Sequence, residues 1–266
     1  MKNNSFPTTF SVMRAVGWVS LLDIVRDKVL YNFILVAGLL FGVGYLASRL
    51  TAVNPERVVL DFGLSAVMVS CTLIAVFTGS GLMSRELERR TIHMALSRPI
   101  TKAQFVLGKF LGLAGAIALN WLLLVGVYLG ILLLTTLRTD TVTPILLWAL
   151  VLILFQSWVV ASLSIFFSSF STTSITVIFS AGLYLIGTNI SQLRVLATHA
   201  ETGFARLTLK IIAAILPNLE YFNLGTKVTY GLPVSPAFLA VSLGYALVLI
   251  AFLLLCAGLL IHWREV

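Results

Sequence analysis

The chain of 266 residues is 59% hydrophobic and only 11% charged, with a mean hydropathy of +1.03. Soluble domains carry about 25% charged residues, so this composition excludes an ordinary soluble protein and points to a bilayer. Lys and Arg number 18 against 10 Asp and Glu. In a soluble chain that excess would suggest nucleic acid, but in a membrane it answers to cytoplasmic loops and anionic headgroups, so no nucleic-acid partner is expected.

Residues 10–28 predict an amphipathic helix, with Trp18, Leu21, Leu22 and Val25 on one side and Asp23, Arg26 and Asp27 on the other. Such a helix lies in the membrane interface, against lipid, with Trp18 at headgroup depth. Arg14 and Asp23 break its apolar run and no small-residue cleavage site follows, so it is expected to stay in place. A first span covers 29–46, with a weak Gly38/Gly42 contact pair. After a polar connection, 49–61, a second span covers 62–83. The third covers 105–134, the fourth 144–166 and the fifth 174–190, along which Thr173, Thr176 and Ser180 lay a stripe of small residues. The connection 191–236 contains a mostly apolar stretch, 204–216, too short to span and suited to an interfacial or re-entrant helix. A sixth span covers 237–261, with His262, Trp263 and Arg264 as an interface anchor. Cys71 and Cys256 sit inside apolar runs without metal-ligand spacing and read as packing residues.

The reading is therefore an all-α membrane protein of six spans, a single domain over 1–266 with no soluble part. Eleven of the eighteen Lys and Arg lie on the side that carries both termini and the break between spans two and three, which makes that side cytoplasmic.

That break, 84–109, is the polar segment around which the rest is arranged. Glu86, Arg89, Arg90, His93 and Ser97 recur at helical spacing and share one face, while Leu87, Thr91, Met94 and Ala95 share another. Ser84 is placed to cap the start of this short helix, with Glu86 and Glu88 in its first turn. Arg98 precedes Pro99, which ends it. Thr101 and Gln104 then form a capping box for the next helix. His93 has no second ligand at a suitable spacing and reads as a surface contact, so no metal is expected.

Glu88, Arg90-Thr91-Ile92, Leu96-Ser97-Arg98-Pro99-Ile100, Phe105 and Gly108-Lys109-Phe110-Leu111-Gly112 together resemble the signature of ABC-2 type transporter permeases. Leu216-Pro217-Asn218-Leu219 and Tyr221-Phe222-Asn223 resemble the segment that these permeases carry before their last span. The family usually has Gly-Thr where this chain has Arg90-Thr91. The resemblance implies an ABC-2, type V exporter-like fold, with 84–98 as a cytoplasmic coupling helix and 10–28 as an N-terminal helix that helps hold an ATPase. It implies a homodimer, or a heterodimer with a similar permease, and two cytosolic ATPase subunits carrying ATP and Mg, in a bacterial or archaeal plasma membrane.

The chain has no engine of its own. Gly108-Lys109 is not a phosphate loop, because that motif needs Gly at 103 and Ser or Thr at 110, where Ala103 and Phe110 stand. The spans as drawn hold no ionisable residue away from their ends, unlike proton- or ion-driven pumps, and no catalytic constellation, so the chain is expected not to be an enzyme. Asn120, Gln156, Ser157, Thr188 and Asn189 are the polar groups in the spans, either lining a translocation path or bonding helix to helix. The 191–236 connection could gate the outer side or dock an extracytoplasmic accessory protein. In the latter case the same handle would serve a non-transporting subunit that transmits ATPase motion.

Overall fold

Prolines and small hydroxyl residues decide where the long helices start. Pro55, Pro144 and Pro236 each open one, in the first turn, where a missing N–H costs nothing because that donor has no intrahelical acceptor. Thr143 caps the second of these, its hydroxyl accepting from Leu146 N at 3.4 Å. The expected box at Thr101 is formed: Thr101 N donates to Gln104 Oε1 at 3.0 Å, and Gln104 N donates to Thr101 Oγ1 at 3.3 Å.

The computed structural model describes residues 9–51, 55–88, 101–136, 143–199 and 203–263, and every regular element among them is helical. In chain order these are α1 (Thr9–Arg26), α2 (Lys28–Leu50), α3 (Pro55–Glu88), α4 (Lys102–Thr136), α5 (Pro144–Ser168), α6 (Thr173–Gly187), α7 (Ile190–His199) and α8 (Gly203–Ile215). A 3₁₀ turn (Leu219–Phe222), α9 (Gly225–Thr229) and α10 (Pro236–Trp263) complete them. Five helices, α2, α3, α4, α5 and α10, are apolar and long enough to cross a membrane. With 34 and 35 residues, α3 and α4 are each about 50 Å long and project beyond a hydrocarbon core of about 30 Å.

The fifth expected span is not continuous. α6 has 15 residues, about 22 Å, and a 70° bend separates it from α7. Hydropathy runs smoothly through 174–190, but a tertiary contact breaks the helix. Gly187 is buried under the turn that precedes α9, where a Cβ would lie 2.9 Å from Pro217 O and 3.0 Å from Leu219 Cγ. The connection expected at 49–61 is also shorter than drawn. α2 runs to Leu50 and α3 starts at Pro55, so Arg49 and Asp61 sit inside helices. Arg49 donates to the Tyr45 hydroxyl one turn back, at 3.0 Å.

α3 and α5 form the centre and run side by side in the same direction, Gly79 lying against Ser164. Ring donors tie α4 across them: Trp121 Nε1 to Leu150 O at 2.8 Å, Trp158 Nε1 to Ala114 O at 3.1 Å and Tyr128 Oη to Leu60 O at 3.1 Å. In hydrocarbon such donors need a protein acceptor, so each bond also fixes register. Thr176 and Ser180 are fully buried on the face that α6 turns to α3 and α5, as the stripe predicts.

α1 packs along the start of α4, and its contact face combines the small residues Gly17 and Ser20 with Val16 and Leu21, which lie against glycines of α4. Gly17, Ser20 and Ile24 are buried, whereas Trp18 is 62% exposed. Leu21, grouped with Trp18 on the expected lipid-facing side, also reaches α4: a Cβ on Gly115 would lie 2.6 Å from its Cδ1. A Cβ on Gly112 would lie 2.6 Å from Ser20 Cβ and 2.7 Å from Gly17 O, and one on Gly108 would lie 2.7 Å from Val16 Cγ1. The two backbones are in contact. By contrast, among the described residues nothing lies within 4 Å of a Cβ at Gly38 or Gly42, so that pair makes no helix contact there. Gly112→Ala should cost about 1–3 kcal/mol through overpacking. Gly126→Ala, with open space around it, should be neutral or gain up to about 1 kcal/mol. Thermal unfolding of the two variants in detergent, compared with the wild-type chain, checks the contrast.

Candidate coupling site

The polar break at 84–109 hangs between α3 and α4, and the ends of both helices are held. α3 does not stop at Ser84 but continues to Glu88. Ser84 is 2% exposed within the helix, and its Oγ donates to Ser80 O at 2.6 Å. It is not the cap of a new helix. A serine at the edge of an apolar run reads the same whether it caps the next helix or bonds back into the previous one. With the Ser84 proton committed to Ser80, the 2.7 Å contact with Thr173 Oγ1 at the start of α6 has Thr173 as donor.

Ser168, the last residue of α5, completes a serine knot. Its Oγ accepts from Ser84 N at 2.9 Å and from Met83 N at 3.2 Å, and donates to Ser80 O at 2.7 Å. One proton and two lone pairs are the whole capacity of a hydroxyl, and all are used. The Ser80 carbonyl and Ser84 amide are one α-helical rung apart, so the Ser168 hydroxyl bonds both ends of a single rung of α3. Neither Ser168 nor Ser80 stood out in the sequence. The signal available was the density of hydroxyls from Ser168 to Ser174, which a turn alone does not need.

The α4 side is anchored differently. Lys102 Nζ donates to Ile261 O at 3.1 Å, placing a cation on the last turn of α10, where the helix dipole favours it. α1 adds the glycine seam. Between α1, α3 and α4 lies a cavity of about 130 Å³ whose polar lining includes Asp23, Asp27, Thr78 and Lys109. Of the predicted interfacial residues, Asp23 thus faces this cavity while Trp18 and Arg26 are exposed. Glu86 and Glu88 lie on the last turn of α3. Arg89, Arg90, Thr91, His93, Ser97 and Arg98 lie outside the described residues.

The family model for ABC-2 family transporter proteins matches residues 16–262, from the middle of α1 to the end of α10. The chain belongs to the ABC-2 family. It is a multi-pass membrane protein, the permease subunit of an ABC transporter, and its partner is an ABC ATPase. Among curated proteins no relative matches it.

In this ABC-2 permease the polar residues of the spans divide into two groups. Asn120 Nδ2 donates to Ser70 Oγ at 3.2 Å, and Ser70 Oγ donates in turn to Phe33 O at 3.2 Å, so Asn120 joins α4 through α3 to α2. Ser157 bonds its own helix, at Ile153 O. Thr188 and Asn189 fold back onto the last α6 carbonyls, Thr188 Oγ1 to Tyr184 O at 3.0 Å and Asn189 Nδ2 to Leu185 O at 2.8 Å, and so finish the helix at its bend. Gln156 differs from these four: it is fully buried, and neither end of its amide has a hydrogen-bond partner among the described residues, where Asn120 Oδ1 and the Thr176 and Ser180 hydroxyls are also buried without one. The Gly79–Ser164 contact, followed back eight residues on each helix, puts Gln156 level with Cys71 and hence with Asn120. Ser168→Ala should leave the Ser84 amide without its Ser168 acceptor and cost about 1–3 kcal/mol, read by thermal unfolding.

Proposed function

We propose that this permease is one half of an exporter in a bacterial or archaeal plasma membrane. Both termini and residues 84–98 face the cytoplasm, where two copies of a separate ATPase, carrying ATP and Mg, grip the 84–98 segment. A second permease, identical or similar, completes the transporter. One observation carries this reading: the segment leaves α3 where Ser168 and Thr173 bind it to α5 and α6, and re-enters at α4 where Lys102 holds α10. A push on the segment therefore reaches α3, α4, α5, α6 and α10 together, with α1 carried along on the glycine seam. Glu86, Glu88, Arg89, Arg90 and His93 are the residues assigned to the ATPase contact, supported by Thr91, Ser97 and Arg98.

Double charge reversal, Arg89→Glu with Arg90→Glu, is expected to abolish co-purification of the ATPase while the permease keeps its size-exclusion profile. Retention of the ATPase at wild-type stoichiometry would remove the segment from the coupling role.

Among the polar residues of the spans, Gln156 is the one assigned to the cargo route. Asn120, Ser157, Thr188 and Asn189 each donate a hydrogen bond inside the bundle, whereas among the described residues neither the donor nor the acceptor end of the Gln156 amide has a partner. In a chain with Cys71 and Cys256 replaced by Ala, Gln156→Cys should react with an aqueous thiol reagent during ATP turnover and resist it at rest. Resistance in both conditions counts against the route.

A further inference from the structure

At the end of α3 opposite the serine knot, Asp61 lies in the second turn of the helix, exposed at the rim of a cavity of about 200 Å³. Its rim is polar, formed by Asp61, Ser65, Asn223 and Thr226, and its floor is apolar, with Leu64, Ile153 and Leu224 each 5% exposed or less.

The charge at this rim is unbalanced in an unexpected way. Arg57 stands four residues before Asp61 on the same helix, the spacing at which opposite charges ordinarily meet. Its guanidinium instead lies over the Tyr230 ring, 5.2 Å from the centroid. Lys227, on α9, lies over the Phe238 ring at 4.4 Å. Both neighbouring cations are thus held on aromatic faces. Asp61 Oδ1 accepts a hydrogen bond from Thr229 Oγ1, and no described residue forms an ion pair with it.

We propose that this cavity binds a primary ammonium group carried on a short hydrocarbon. The Asp61 carboxylate is the counter-ion, the Ser65 and Thr226 hydroxyl oxygens accept further N–H bonds, and the alkyl part rests on Leu64, Ile153 and Leu224. An ammonium donor brings a second charge to the bond, so its pair with the carboxylate is stronger than the bond from the uncharged Thr229 hydroxyl alone. The site selects ammonium over alcohol by charge, and primary over quaternary ammonium by the N–H groups. An aminophospholipid headgroup and a soluble amine both present this chemistry.

The test uses the full-length permease in phosphatidylcholine nanodiscs, titrated with n-butylammonium chloride and followed by melting temperature. A saturable rise is expected with n-butylammonium, and none with n-butanol or tetramethylammonium chloride at the same concentrations. Asp61→Asn should raise the apparent Kd at least tenfold and Ser65→Ala severalfold. Equal binding by wild type and Asp61→Asn, or equal responses to n-butylammonium and n-butanol, overturns the site. If Asp61→Asn does not fold, the comparison of the three probes on the wild-type chain decides alone. Repeating the titration in phosphatidylethanolamine nanodiscs separates the sources. A raised apparent Kd for n-butylammonium identifies the headgroup as occupant, an unchanged one identifies a soluble amine, and either supports the ammonium site.

Discussion

A hydroxyl buried away from water can find partners only in protein, and Ser168 finds all three of its own close to where α3 and α5 end. In hydrocarbon the alternative is an unsatisfied polar group, which costs more than the net worth of a bond in water. By donating to Ser80 and accepting from Met83 and Ser84, Ser168 makes the last turns of α3 inseparable from the end of α5. Thr173 extends the same tie to α6. Three helices consequently share one fixed point, and the polar segment that follows α3 starts from it.

The other helices are joined by different physics. α1 and α4 meet through glycines, so dispersion between backbones does the work that large side chains do in a soluble core. α10 packs its buried side, Leu239, Ala246, Ile250, Leu254 and Ala257, into the core against α5 and α4, and Lys102 adds a cation at its last turn. Because α3 and α4 are both longer than a bilayer is thick, their ends stand clear of it as stiff extensions. Among the described residues five helices, or six spans if the bent pair counts as one, are long and apolar enough to cross a bilayer, and the helices on either side of the polar segment are tied at that end.

Much of this was legible in the residues. Long apolar runs declare spans because hydrocarbon tolerates little else, and the Thr101–Gln104 box declares a helix start because its two bonds are local. The family signature around Glu88 to Gly112 led to the membership that the match over 16–262 shows. What escaped was set by tertiary contact. Ser84 looked like a cap because its partners, Ser168 and Thr173, are more than 80 residues away in sequence. The bend after Gly187 depends on Pro217 and Leu219 arriving from later in the chain. Asp61 was placed in a connection because charges usually mark span ends, yet α3 extends past it to Pro55.

The glycine seam also orders events during synthesis. Gly17 leaves the ribosome roughly 90 residues ahead of Gly108 and Gly112, its eventual partners. At about 5–20 residues per second, that is a wait of roughly 5–18 s. Through that interval the glycine face of α1 has no α4 to pack against, and its final seat exists only once α4 has been delivered. A helix made early thus reaches its final position only when one made about 90 residues later arrives.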